Sequence, residues 1–61
     1  MKIEPSRKAR ESGIESVELS EVDGAWELVI TNKNKSVLTV TFRGAKAEQA
    51  ALEYAHMKFG Q

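Results

Sequence analysis

Asp23-Gly24 stands between two stretches in which apolar residues recur at every second position, and this pair constrains the chain more than any other feature. A two-residue hairpin loop needs positive φ at both central positions, which glycine adopts freely and aspartate more readily than most residues. If these two residues form the loop, Val22 pairs with Ala25 and residue numbers across the hairpin sum to 47. Leu19 then faces Leu28, and Val17 faces Ile30. Turn chemistry and alternation agree on one register, and a slip by one residue would turn every apolar side chain to the wrong face.

The predicted first strand is residues 15–22, and the second, 25–31, puts Trp26, Leu28 and Ile30 inward. Asn32-Lys33-Asn34-Lys35 reads as a polar turn in which either asparagine takes the left-handed conformation. A third strand, 36–42, carries Leu38, Val40 and Phe42 on the same face, which requires an even register sum such as 68. That register sets Trp26 against Phe42, Leu28 against Val40 and Ile30 against Leu38, and it predicts that Trp26 is buried.

After Gly44 the apolar spacing changes to that of a helix, and alanine, the best helix former, dominates residues 45–59. Ala47, Ala50, Ala51, Tyr54, Ala55 and Met57 form an apolar face that Leu52 and Phe59 extend, opposite Lys46, Gln49, Glu53 and His56. Gly60 follows as a stop signal. The expected fold is α+β: a three-stranded antiparallel meander over residues 14–61 with one C-terminal helix packed on one face, β-β-β-α.

Residues 1–13 have Met1 and Ile3 as their only large apolar side chains. Such a composition does not offset the entropy of ordering, so this segment is expected to be a mobile polar arm, dispensable for folding. Lys2, Arg7, Lys8 and Arg10 against Glu4 and Glu11 give the arm +2, while the rest of the chain carries −2. The folded part thus lacks the basic excess usual in a nucleic-acid-binding domain.

At 61 residues the chain makes one domain that buries only about 60% of the surface its unfolded form exposes. The first residues lack the apolar run of a signal peptide, and cysteine is absent, so the expected location is the cytoplasm. His56 is the only histidine, and with Glu53 it offers a metal two ligands at most. Gly13, Gly24, Gly44 and Gly60 each fall at an element boundary, which argues against a phosphate-binding loop. A domain this small is also expected to lack a pocket of several hundred Å³. The chemistry therefore reads as non-enzymatic, with no cofactor and no metal.

Thr41 to Ala55, with its Thr-Phe strand end and the helix Ala47-Glu48-Gln49-Ala50-Ala51-Leu52-Glu53-Tyr54-Ala55, resembles the end of the ethylene-response-factor type of plant DNA-binding domain. The β-β-β-α layout is similar to the arm-binding domains of phage integrases. The resemblance implies a sheet whose outer face lies in the major groove of DNA. The outward positions here are Ser16, Glu18, Ser20, Val22, Ala25, Glu27, Val29, Thr31, Val37, Thr39, Thr41 and Arg43. One arginine and two glutamates stand where those families place several arginines and a tryptophan, so the resemblance bears on fold and not on activity.

The expectation is a protein-interaction module, of the size of a phage- or plasmid-type regulator or inhibitor, that contacts another protein or a second copy. Its candidate contact residues are Glu18, Glu27, Val29, Val37, Thr39, Thr41 and Arg43. The alternative is a DNA-binding accessory domain that uses the same face with Lys2, Arg7, Lys8, Arg10 and Arg43.

Overall fold

In the computed structural model, which describes residues 1–60, both central loop residues take positive φ, 51° at Asp23 and 79° at Gly24. The hairpin that follows joins β2 (Ile14–Val22) to β3 (Ala25–Asn32). Val22 pairs with Ala25, Leu19 with Leu28 and Val17 with Ile30, the register that the turn implies. In the turn after β3, Lys35 takes the positive φ, 74°, and neither asparagine does. Asn34 instead accepts a hydrogen bond at Oδ1 from the Ser36 backbone N–H, at 3.0 Å. The side chain that closes the turn is thus not the residue that bends it. β4 (Val37–Phe42) then pairs with β3, Trp26 opposite Phe42, Leu28 opposite Val40 and Ile30 opposite Leu38.

The three-stranded meander with a single helix is not the architecture. The sheet has four antiparallel strands in the order β1-β2-β3-β4, and there are two helices. The additional elements are β1 (Lys2–Ile3) and α1 (Arg7–Glu11), both within the segment expected to be a mobile arm. β1 pairs with the free side of β2, Ile3 opposite Val17 and Lys2 opposite Glu18. The Met1 amino group donates to the Leu19 carbonyl at 2.6 Å, and Leu19 N–H donates to the Met1 carbonyl at 2.7 Å.

A five-residue helix is unstable alone, because nucleation is not repaid over one turn. α1 is held by its surroundings. Ser6 caps it, its Oγ accepting from Ala9 N–H at 3.1 Å, and Ser6 N–H donates to the Phe59 carbonyl at the end of the second helix, at 2.7 Å. Gly13, at φ 105°, leads the chain out of the helix, and its carbonyl accepts from Lys33 N–H at 2.9 Å. Apolar bulk was the wrong test for this segment. Ile3 and Ala9 are only 5% and 6% exposed, and main-chain hydrogen bonds supply the rest.

α2 (Ala47–Lys58) crosses the inner face of the sheet. Ala47, Ala51 and Ala55, spaced by four, are all buried, so the helix presents a row of methyl groups to the strands. Ile3, Val17, Leu19, Leu28 and Ile30 complete the core beneath it. The apolar face is narrower than expected: Ala50 is exposed and Met57 is 74% exposed. Trp26 is half-buried and not fully enclosed. It lies at the hairpin end of the inner face, opposite the exposed Glu21 and beyond the reach of β1. An aromatic chain continues from its neighbour Phe42 to Tyr54, 5.6 Å between ring centroids, and on to Phe59 at 6.3 Å, both edge to face.

Since β1 closes one side of the core, Ile3→Ala should destabilise the protein by about 2–5 kcal/mol, a large part of what a domain this small possesses. Urea unfolding of the variant would show it. A midpoint unchanged from the parent protein would return residues 1–13 to the role of a dispensable arm.

Candidate outer-sheet interaction face

Because residues alternate between faces, the two registers decide which side chains share the surface opposite α2. Val29 lies between Glu18 of β2 and Thr39 of β4. Glu27 lies between Ser20 and Thr41, and Thr31 between Ser16 and Val37. Six of the seven expected contact residues therefore sit on one face in three adjoining rows. Arg43 follows directly after the end of β4 and is exposed. Glu18, Val37, Thr39 and Thr41 are exposed, while Glu27 and Val29, on the central strand, are half-buried. Ala25, read as part of this surface, is 4% exposed and offers a partner little area.

β1 alters the electrostatics of this face. It places Lys2 directly across from Glu18, so one of the two outward glutamates has a cation as its neighbour in the sheet. Two of the remaining cations expected to grip nucleic acid are engaged with acids. Arg7 pairs with Glu11 across one turn of α1 at 3.6 Å. Arg10 pairs with Glu4 at 2.5 Å and donates from Nε to the Pro5 carbonyl at 3.2 Å. Lys8 is exposed and has no ion pair among the described residues. Lys2 and Arg43 lie toward opposite edges of the four-stranded sheet, and Arg43 lies beyond Thr39, the β4 residue in line with Lys2, so the two are about 20 Å apart at usual strand spacing and rise. The structure does not gather the basic set into one patch.

Two features escaped the sequence reading. The first is charge order along the chain: residues 14–30 hold five acids, Glu15, Glu18, Glu21, Asp23 and Glu27, and no base. Residues 31–47 hold four bases, Lys33, Lys35, Arg43 and Lys46, and no acid. Tallies over the whole folded segment hid this division. Only one of these four bases, Lys35, forms an ion pair among the described residues, with Glu15 at 3.7 Å. The second feature is exposure on β4. Val37 is 59% and Leu38 53% exposed, although Leu38 points to the inner face. An edge strand has a neighbour on one side only, and that halves the cover a core-facing side chain receives.

Concave surface exists as well. An open groove of about 350 Å³ runs between β1 and α2, lined by Met1, Lys2, Ile3, Glu4, Leu52 and His56. The domain is thus large enough for a recess of several hundred Å³, contrary to expectation. His56 is exposed there, and no cluster of three or more metal-ligating side chains occurs among the described residues. No helix among the described residues is long and apolar enough to cross a membrane.

Comparison with protein-family models, with curated proteins and with solved structures finds no match to this chain.

The burial difference along the inner face has a direct consequence. Leu38→Lys should leave the thermal midpoint within a few degrees of the parent, because the new charge reaches water. Leu28→Lys should abolish cooperative unfolding, because its position is fully enclosed. Circular dichroism melts of the two variants check this, and equal effects would mean that β4 is covered in solution.

Proposed function

We propose that this protein is a non-enzymatic, cytoplasmic interaction module, of the size of a small phage- or plasmid-type regulator or inhibitor. It contacts another protein, or a second copy of itself, through the outer sheet face. One observation carries this reading. Val29, Val37, Thr39 and Thr41 form a contiguous, uncharged, largely β-branched surface with Glu18 and Glu27 at its border. Interfaces are depleted of charge at their centre and polar at their rim, and this face has that distribution. Phosphate contacts supply most of the affinity for DNA, and two glutamates on the face with paired arginines on α1 disfavour that alternative.

Val29→Arg is the discriminating substitution. The side chain points away from the core in both registers, so the thermal midpoint should stay within a few degrees of the parent. Association, read by sedimentation and by pull-down from native lysate, should weaken because a charge enters the middle of the patch. Salt-sensitive binding to duplex DNA that tightens in this variant would overturn the reading.

A further inference from the structure

The hydrogen-bond phase of the sheet is determined at both ends. Asn32 N–H donates to the Ser36 carbonyl at 2.9 Å, so the pairs whose numbers sum to 68 and that contain even residues are the hydrogen-bonded ones. Ile30 with Leu38, Leu28 with Val40 and Trp26 with Phe42 use their main chains on each other. By alternation Val37, Thr39 and Thr41 turn their N–H and C=O groups to the other side of β4. No strand lies there, because β4 ends the sheet. Among the described residues no hydrogen bond of the turns, loops or side chains reaches these three residues. The edge is about 20 Å long and contains no proline, lysine or other charge, the devices by which proteins usually block an edge.

We propose that this edge captures an extended acidic peptide segment of a partner protein, which adds to the sheet as a fifth strand. The inference rests on the interaction-module reading and gives it a partner chemistry. Charge complementarity selects the occupant: Arg43 and Lys46 follow one end of β4, Lys33 precedes the other beside Lys35, which is paired with Glu15, and no acid intervenes in the sequence between Lys33 and Lys46. A second copy fits less well. In the symmetric pairing that would satisfy all six open main-chain groups, Thr39 faces its own counterpart and Lys35 falls opposite Arg43, like charge against like. A nucleic acid brings acceptors for the three N–H groups but sets phosphate oxygens against the three carbonyls. A peptide strand meets both kinds of group, and main-chain bonds with alternate side-chain contacts are the usual source of affinity in strand addition. The exposed Val37 and Leu38, one on each face, would each gain an apolar neighbour.

The test titrates the full chain with a capped peptide of about ten residues alternating valine and glutamate. The same titration is run with a valine and lysine peptide and with single-stranded oligothymidine. The acidic peptide should bind at least about tenfold more tightly than the lysine peptide, a difference of about 1.4 kcal/mol. Amide exchange should slow at Val37, Thr39 and Thr41 and not at Leu38 or Val40, which are already paired. Thr39→Pro removes one outward N–H and leaves the pairing with β3 intact, so it should weaken binding at least about tenfold. Should that variant unfold, alternate N-methylation of the peptide removes the same bonds from the other partner and should have the same effect. Equal binding of both peptides, tighter binding of the oligonucleotide, or a dimer that Thr39→Pro dissolves would each overturn the proposal. Association that Val29→Arg weakens but Thr39→Pro does not would also overturn it and leave the outer-face reading standing.

Discussion

Everything in this fold follows from the phase established where the chain reverses at Asp23 and Gly24. Both residues hold positive φ, and that conformation lets a two-residue loop join strands of natural twist. Once Val22 and Ala25 are opposed, the parity of every later pair is decided. From Ser16 to Val22 the odd residues of β2, with the even residues of β3, face the helix, and the alternate residues form the outer surface. The same parity decides which main-chain groups of β3 are left for β4. Side-chain sorting and hydrogen-bond sorting are therefore one event, and a fault in the turn would disturb both together.

Around that hairpin the molecule is closed by economical means. The helix sets the methyl groups of Ala47, Ala51 and Ala55 over the strands, Leu52 and Tyr54 pack beside them, and Leu19, Leu28 and Ile30 fill the space beneath. The N-terminal segment adds one buried isoleucine and a short run of main-chain bonds. It also links the two ends of the described chain, since Ser6 donates to the carbonyl of Phe59. A domain of this size has little hydrophobic area to spend, and such long-range main-chain bonds keep buried polar groups satisfied without more core.

Much of this was legible in the residues. Periodicity and turn chemistry gave both registers, the composition of the inner face and the place of the second helix. They also brought six of the candidate contact residues onto one surface. Apolar bulk alone does not show the order of the first thirteen residues, which rests on main-chain hydrogen bonds as well. Local signals were present: Ser6 before a short helical run, Arg7 and Glu11 one turn apart, and Gly13 at the exit. No local signal reveals that Ile3 lies against Val17, because that contact depends on a strand formed later in the chain. Exposure on β4 was equally hidden. Alternation assigns Leu38 to the inner face, but only the strand order shows that this face is uncovered there.

The irregularity at the start of β2 has an implication for how the chain tolerates length change. Ile14 pairs with Asn32 and Ser16 with Thr31, so Glu15 is an extra residue without an opposite number. In an unbroken pleat Ile14 would share the solvent side with Ser16; the added residue brings it round to the core, where it packs. The segment behaves like a reading frame with a single inserted letter. Loss of Glu15 would remove that letter: Ile14 would join Ser16 in an unbroken pleat and still face the core opposite Asn32. One further residue kept in the pleat would turn Ile14 to solvent, so this segment can absorb a shortening by one residue more readily than a second insertion.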